Sequence, residues 1–139
     1  MIMVDTSAWY AICDRTDKNH PRASDFFARV AETEALATTD FILAETRALL
    51  NARLGRTAAI TFWQTLREAD VPVFCIRESD LEAAWRILQS FRDQTFSLTD
   101  CTTFAVMERL RLERVFTFDR HFAIYRYGPR RHQAFVCHP

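Results

Sequence analysis

Glycine and proline are scarce in this chain, which has only two glycines and four prolines in 139 residues. Because these residues mark loops and flexible linkers, their scarcity favours regular elements joined by short connections. The two glycines, Gly55 and Gly128, lie far apart in the sequence. They cannot form a glycine-rich loop that cradles a phosphate, so the sequence disfavours the common nucleotide-binding enzymes.

Net charge is also lacking, since 18 basic residues balance 18 acidic ones. A neutral chain lacks the simplest signal of a nucleic-acid-binding protein, because non-specific affinity for phosphate comes from clustered cations. Lysine is almost absent: Lys18 is the only one, so the other 17 basic residues are arginine. Arginine can hold phosphate through two parallel hydrogen bonds. The arginines reflect either the base composition of the source genome or an electrostatic footprint for nucleic acid.

The four cysteines form no C-x-x-C pair, and the four histidines add no zinc-like spacing. The sequence therefore lacks the usual signals of a structural zinc site. Cys13, Cys75 and Cys137 lie in apolar runs, where we expect them to be small buried hydrophobic residues. With Cys101, they are expected to be reduced thiols of a cytosolic protein.

The N-terminal residues, MIMVDTSAWY, include no basic segment and reach an acid at the fifth position. We therefore expect no signal peptide at this end of the chain. No apolar run approaches the length of a membrane span. The expected location is the cytoplasm.

Short apolar runs alternate with amphipathic segments along the chain. The apolar runs predict strands at Ile2–Val4, Ala35–Thr38, Val71–Ile76, Val115–Phe118 and Gln133–Val136. Helical periodicity predicts helices at Ala8–Cys13, Arg22–Glu32, Phe41–Leu54, Thr57–Ala69, Glu78–Phe91, Leu98–Leu112 and Arg120–Tyr125. This alternation predicts one α/β domain, residues 1–139, with a mainly parallel sheet. Pro72 predicts that the third strand lies at an edge of the sheet or ends there.

Carboxylates follow two of the predicted strands and lie in two of the predicted helices. Asp5 and Asp119 each come directly after a strand, while Asp100 lies in the first turn of its helix and Glu45 about one turn into its own. Because parallel sheets bind ligands beyond the carboxyl ends of their strands, we expect all four acids at one edge. Acids gathered there repel each other unless a cation neutralises them. The pattern therefore predicts a site for a hard divalent ion such as Mg²⁺ or Mn²⁺.

Each acid also has an ordinary structural explanation. Asp5 and Asp119 could simply cap the helices that follow them. Glu45 alone would be a solvated helix residue, and Asp100 alone a partner of the helix dipole. These explanations weaken when all four acids share one predicted edge. His121 is expected to pack beside the acids or support them rather than to bind the ion.

The segments VDTSAWYA, ILAETRALL and SLTDCTTFAVMERLRLERVFTFDRHF, in this order, resemble the PIN-domain nucleases. The resemblance is strongest to the VapC-type toxins of bacterial toxin–antitoxin pairs, and it spans Met3 to about Val136. It implies a PIN-like three-layer α/β domain with a short, mainly parallel central sheet flanked by helices. It also implies a catalytic and metal-binding role for Asp5, Glu45, Asp100 and Asp119. The same resemblance places hydroxyl groups beside the metal or its acids, namely those of Ser7, Thr99 and Thr117.

The resemblance also implies an activity and a set of partners. The activity is metal-assisted hydrolysis of RNA phosphodiester bonds with Mg²⁺ or Mn²⁺, which makes the chain an endoribonuclease. The expected partners are the RNA substrate, a second copy in a homodimer, and a small antitoxin protein. We expect the apolar surface for these protein contacts on the helices between Arg22 and Gly55.

A basic cluster begins directly after Asp119 and consists of Arg120, Arg126, Arg130, Arg131 and His132. Contact with the RNA backbone is expected in particular from Arg120, Arg130 and Arg131. A solvated basic tail explains the same residues equally well.

Two other classes of function stay open. A receiver domain or a haloacid-dehalogenase-like phosphatase also uses aspartates at strand ends. Here Asp5 has no adjacent acid, no lysine occurs late in the chain, and Ser7 stands where the phosphatase pattern needs aspartate. The other class is a PIN-like module that binds RNA or a protein without cutting, and only a cleavage assay separates it from a nuclease.

Overall fold

A computed structural model describes residues 1–139 and contains five short strands and seven helices. The strands are β1 (Ile2–Val4), β2 (Leu36–Thr39), β3 (Val73–Phe74), β4 (Arg114–Phe116) and β5 (Val136–His138). The helices are α1 (Thr6–Cys13), α2 (His20–Val30), α3 (Asp40–Leu54), α4 (Arg56–Glu68), α5 (Glu78–Ser90), α6 (Leu98–Leu110) and α7 (Arg120–Ile124). A short 3₁₀ turn, Pro129–Arg131, precedes β5. The α/β fold class is confirmed.

All strand pairs in the sheet are parallel, in the order β3-β2-β1-β4-β5. The central strand is β1, in which Met3 pairs with Ala37 of β2 and with Val115 of β4. All three residues of β1 are fully buried, as expected for a parallel strand that is covered on both faces. Because the strands run in the same direction, the segments that follow them meet at one edge of the sheet. That edge carries Asp5 and Asp119.

Helices cover the sheet and pack against each other. α1 contacts α2 and α3, while α3 also contacts α4 and α6. α5 packs along α6. Phe104, Phe116 and Phe122 are the largest fully buried side chains, and the rings of Phe104 and Phe122 meet edge to face at 4.9 Å. No helix has both the length and the apolar character needed to cross a membrane.

Four of the five predicted strands have different bounds in the structure, by one or two residues for β2 and β4 and by more for the other two. The third shrinks from Val71–Ile76 to β3, whose two residues pair with the end of β2 at the sheet edge that Pro72 predicted. The last strand shifts from Gln133–Val136 to β5, where Val136 pairs with Arg114. In both segments apolar residues that pack on the core extend beyond the paired residues, because burial does not require a strand partner.

The predicted burial is wrong for Cys75 and Cys137 and is met only in part by Cys13. Cys75 and Cys137 are exposed and Cys13 is half-buried, whereas Cys101 is the fully buried one. Cys75 lies in an extended segment, in which successive side chains point to opposite sides. Its neighbours Phe74 and Ile76 pack against the core, so Cys75 points outward.

The apolar surface also differs from the expectation. Between Arg22 and Gly55 the only exposed large hydrophobic residue is Leu54, because the other large apolar side chains of these helices pack inward. The exposed aromatic residues are Trp63 of α4 and Trp85 of α5. Exposed large apolar side chains are therefore more prominent on α4 and α5.

A buried ion pair joins α5 to α6. Asp80 accepts hydrogen bonds from Arg109 Nε at 2.8 Å and from Arg109 Nη2 at 2.9 Å. It also accepts the backbone N–H of Arg77, which closes a capping box at the start of α5. Burial alone would raise the pKa of Asp80, but the hydrogen bonds from Arg109 and Arg77 outweigh it and lower the pKa.

Asp80→Asn should lower the free energy of unfolding by about 2–3 kcal/mol, because Arg109 loses a buried charged partner. Since folding lowers the pKa of Asp80, the stabilisation is present above the ordinary value of 3.8 and is lost as the pH falls through the lowered value. Urea denaturation at neutral pH measures the difference. Glu82→Gln, an exposed change on the same helix, is the control and should change stability by less than about 0.5 kcal/mol. Equal stability of Asp80→Asn and wild type would contradict this account.

Candidate active site

Asp5 follows β1 directly and caps α1. Its backbone is extended, with φ −84° and ψ 164°, so the chain passes from strand to helix at this residue. Its Oδ2 atom accepts hydrogen bonds from the backbone N–H of Ser7 at 3.2 Å and from the Ser7 hydroxyl at 2.7 Å. A third hydrogen bond to Oδ2 comes from the Thr117 hydroxyl at 3.0 Å. The helix cap expected of an isolated aspartate is present, and it occupies only one carboxylate oxygen.

Thr117 links the first acid of the chain to the last. Its hydroxyl donates to Asp5 Oδ2 and accepts the backbone N–H of Asp119 at 2.9 Å. Asp119 in turn caps α7, because its Oδ1 atom accepts the backbone N–H of His121 at 2.8 Å. The residues after β1 and those after β4 are therefore joined by side-chain hydrogen bonds across the edge of the sheet.

Asp100 and His121 meet at the same edge. Asp100 lies in the first turn of α6, and its Oδ2 atom accepts the backbone N–H of Ser97 at 2.9 Å. The same oxygen accepts a hydrogen bond from His121 Nδ1 at 2.9 Å. His121 Nδ1 also lies 3.4 Å from Asp119 Oδ1. Ligand atoms of Asp100, Asp119 and His121 all lie within 4.8 Å of one another.

Glu45 approaches from α3 and is exposed. α3 begins after Thr39, whose hydroxyl caps the helix by accepting the backbone N–H of Ile42. The Oε2 atom of Glu45 accepts a hydrogen bond from the hydroxyl of Thr6, the residue next to Asp5. This bond ties the otherwise mobile end of the Glu45 side chain to the start of α1.

Each of the four carboxylates uses only one of its two oxygens for hydrogen bonds with the protein. The oxygens that receive no protein donor are Asp5 Oδ1, Glu45 Oε1, Asp100 Oδ1 and Asp119 Oδ2. An oxygen that faces no donor can bind a cation, and hard divalent cations prefer carboxylate ligands. Asp100 and Asp119, with His121 beside them, are therefore spaced to fit such a cation, whereas Asp5 and Glu45 are tied to the same edge through the hydroxyls of Thr117 and Thr6 and do not belong to this close group.

The pKa of Asp5 also supports a cation at this edge. The pKa of Asp5 is raised to about 6, chiefly by burial and also by the charge of Asp100, while hydrogen bonds from Ser7 and Thr117 partly oppose the shift. A raised pKa means that the folded protein disfavours the charged carboxylate. A cation beside Asp5 and Asp100 would reverse this effect by attracting both charges.

The remaining residues suggested by sequence lie at different distances from the acids. Ser7 and Thr117 contact Asp5, but Thr99 offers only its backbone carbonyl, which accepts from Thr102. Arg120 is exposed at the first position of α7, next to Asp119. Arg130 and Arg131 are exposed in the 3₁₀ turn.

The sequence did not predict the contacts that two residues, Thr6 and His121, make with the acids. Thr6 contacts Glu45 across 39 positions of the chain, and no pattern in the sequence signals a contact that depends on how α1 packs against α3. The bridge that His121 forms between Asp100 and Asp119 could have been suspected, because His121 follows Asp119 by two residues in the first turn of α7.

The PIN domain family matches residues 2–126 of this chain. The chain therefore belongs to the PIN domain family, which confirms the resemblance seen in the sequence. It is 32% identical over 123 residues to the 23S rRNA-specific endonuclease VapC20 of Mycobacterium tuberculosis, covering 88% of this chain and 92% of the relative. It is also 26% identical over 126 residues to ribonuclease VapC26 of the same organism, covering 90% of this chain and 92% of the relative.

Solved structures agree with this assignment. The crystal structure of M. tuberculosis VapC20, described as a sarcin–ricin loop cleaving toxin, superposes with a TM-score of 0.81 at 30% identity, covering 89% of this chain and 94% of that one. A chain of a toxin–antitoxin complex from Klebsiella pneumoniae gives a TM-score of 0.61 at 15% identity, covering 86% of this chain and 88% of that one. The second match shows the shared fold alone.

Asp5→Asn should raise the melting temperature in the presence of EDTA, because asparagine keeps the helix cap and removes a disfavoured buried charge. Adding Mg²⁺ or Mn²⁺ should raise the melting temperature of the wild-type protein, since a ligand that binds only the folded state stabilises it. The same addition should have a smaller effect on the variant. A variant that is less stable than wild type in EDTA would contradict the electrostatic account of Asp5.

Proposed function

We propose that this chain is a single PIN-like nuclease domain, residues 1–139, that acts as a metal-dependent endoribonuclease. It hydrolyses RNA phosphodiester bonds at a site formed by Asp5, Glu45, Asp100 and Asp119. The observation that carries this proposal is the free oxygen on each of the four carboxylates, which is the donor set that Mg²⁺ or Mn²⁺ requires. Membership of the PIN domain family and the named ribonuclease relatives support it.

A divalent cation held by these acids would lower the pKa of water and offset the negative charge of the phosphate. The protein's own contribution is to hold the acids in position before substrate arrives. Ser7 and Thr117 hold Asp5 through Oδ2 and leave Oδ1 for the cation. His121 holds Asp100 and Asp119 near each other in the same way.

Glu45 has more freedom than the three aspartates. It is exposed, and its only hydrogen bond with the protein comes from Thr6. An exposed carboxylate on one side of the site suits a second cation or the orientation of a water molecule.

RNA is the substrate, and ribosomal RNA is the first RNA to test. The relative with 32% identity is named as a 23S rRNA-specific endonuclease, and its structure is described as that of a toxin that cleaves the sarcin–ricin loop. The other relative is named only as a ribonuclease. The proposed substrate class is therefore RNA, and ribosomal RNA is the specific substrate that we propose to test first.

Purified protein should cleave RNA in Mg²⁺ or Mn²⁺, and EDTA should abolish cleavage. Asp100→Asn should reduce the rate by at least about a hundredfold, because loss of a metal ligand removes an interaction that is needed in the transition state. The measurement follows end-labelled RNA, both a mixed pool and intact ribosomal RNA, on denaturing gels.

Asp93→Asn is the matched control, since Asp93 is an exposed acid in the loop before α6 and lies outside the site. It should cleave at the wild-type rate. Equal rates for Asp100→Asn and wild type would overturn the assignment of the acids. Absence of cleavage, with tight binding of RNA, would instead identify a module that binds without cutting.

A small antitoxin protein is the proposed regulatory partner, and the cytoplasm is the proposed location. The relatives carry the VapC name, and the VapC20 structure is described as a toxin. A ribonuclease with these acids preassembled would cut cellular RNA unless another protein restrained it. A surface suited to protein contact lies on α3 and α4, where the exposed Trp63 borders a cavity of about 600 Å³.

We place the homodimer contact on α5. Leu81 and Trp85 lie one helical turn apart on this helix and are 41% and 58% exposed. Burying a tryptophan and a leucine against a second copy removes this apolar surface from water. Sedimentation velocity should show a dimer for the wild type and a monomer for Trp85→Arg. Trp63→Arg, an equivalent change on α4, should leave the dimer intact, and a dimer that survives Trp85→Arg would rule out this face.

A further inference from the structure

A cleft lined by arginines lies between α5, α6 and the segment that follows α7. It has a volume of about 300 Å³. Arg86 comes from α5, Arg126 follows α7, and Arg131 comes from the 3₁₀ turn. None of the three forms an ion pair. We refer to this site as the basic cleft, because its positive charge is not neutralised by the protein.

The one acid that lines the basic cleft is already engaged. Glu108 accepts a hydrogen bond from the hydroxyl of the buried Tyr125. Three guanidinium groups therefore face a single carboxylate that already has a partner. The excess of positive charge favours an anionic ligand.

Two of the arginines are held in fixed positions. Arg126 Nη1 donates to the carbonyl oxygens of Ala123 and Tyr125 at 2.7 and 2.8 Å, which leaves its Nε and Nη2 donors for another partner. The guanidinium group of Arg131 lies 4.6 Å from the centre of the Phe91 ring. A guanidinium group fixed in advance loses less conformational entropy when it binds phosphate.

The backbone near Arg131 is also unusual. Arg130 and Arg131 have φ values of 59° and 54°, in the left-handed region that residues other than glycine rarely adopt. Two consecutive residues in this conformation are held against their intrinsic preference. The result is a tight turn that carries Arg131 onto the face of Phe91.

Aromatic rings complete the lining. Phe91 and Tyr127 both line the basic cleft and are half-buried. The Tyr127 ring is itself stacked on Phe135 at 4.7 Å. Proteins recognise unpaired nucleotides by combining arginines for the phosphate with aromatic rings or guanidinium planes for the base.

The basic cleft is connected to Asp100 by a series of ring contacts that ends at His121. Phe91 lies 5.4 Å from Phe96, and Phe96 lies 5.2 Å from the His121 ring, measured between ring centres. His121 contacts Asp100. The cleft is thus close enough to the acids for one RNA strand to contact both.

We propose that the basic cleft binds an unpaired nucleotide and its phosphate on the same RNA strand that is cut at the four acids. This inference rests on the proposed function, because it assigns the cleft to the substrate of that site. The sequence-based expectation that Arg131 contacts RNA is kept, and Arg86 of α5 is added as a second contact. Arg130 is assigned the role of shaping the turn instead.

The test measures binding of a short fluorescein-labelled single-stranded RNA by anisotropy, in EDTA so that no cleavage occurs, over a range of KCl concentrations. For single strands, the slope of log K against log salt changes by about 0.7 for each phosphate contact. Arg86→Gln and Arg131→Gln together should therefore reduce the magnitude of the slope by about 1.4 if each arginine holds one phosphate. In the cleavage assay the same pair should raise KM and leave kcat unchanged.

Arg29→Gln is the matched control, because Arg29 also lies over an aromatic ring, Phe26, at 5.8 Å and forms no ion pair. It should leave the slope unchanged. Arg86→Gln alone provides a variant that cannot disturb the turn, since Arg86 is exposed on α5 and makes no hydrogen bond with the protein. An unchanged slope in both Arg86→Gln and the double variant would overturn the proposal.

The outcomes also separate this proposal from the proposed function. If the wild-type protein cleaves RNA but the variants keep the wild-type slope, the RNA-binding role of the basic cleft is contradicted and the nuclease proposal stands. A smaller slope in the variants, combined with no RNA cleavage by the wild-type protein, would support the cleft as an RNA-binding site and contradict the nuclease proposal. Equal losses for a fully paired RNA duplex would overturn the assignment to an unpaired nucleotide.

Discussion

Repulsion between carboxylates at the carboxyl edge of the sheet is the constraint that organises the site. Parallel strands bring Asp5 and Asp119 to one edge, and α6 adds Asp100. The protein holds these charges in place with neutral donors, including the hydroxyls of Ser7 and Thr117, rather than with arginine or lysine. Neutral donors orient a carboxylate without cancelling its charge, so the site keeps its attraction for a cation. The pKa of Asp5 is raised chiefly by burial and also by the charge of Asp100, and its neutral hydrogen-bond donors oppose that shift only in part.

The architecture could be predicted from the sequence because apolar runs and helical periodicity are local signals. β1 and the position of Asp5 after it were predicted correctly for this reason. Predictions failed where burial and pairing differ: Val71 and Ile76 pack on the core without joining β3, and Cys75 points outward between buried neighbours. Apolar patterns report which residues leave water, and they do not report which backbone groups find a strand partner.

The contacts within the site were less predictable from the sequence than the architecture. The edge shared by the acids follows from parallel topology and strand ends, which the sequence indicates. The bond between Thr6 and Glu45 depends on how two helices pack, and the cleft shared by Arg86 and Arg131 depends on where the 3₁₀ turn lies relative to α5. Such contacts join residues that are distant in the chain, and a single sequence carries no signal for them. His121 lies between these cases, since its position was evident and its two carboxylate partners were not.

The most direct test of the carboxylate site is anomalous diffraction from crystals of the protein grown with Mn²⁺. The account predicts a peak at about 2.0–2.2 Å from the carboxylate oxygens that receive no protein hydrogen bond, which are Asp5 Oδ1, Asp100 Oδ1 and Asp119 Oδ2. The opposite oxygens should keep their hydrogen bonds to Ser7, Thr117, Ser97 and His121. A crystal saturated with Mn²⁺ that shows no peak between these aspartates would contradict the central claim.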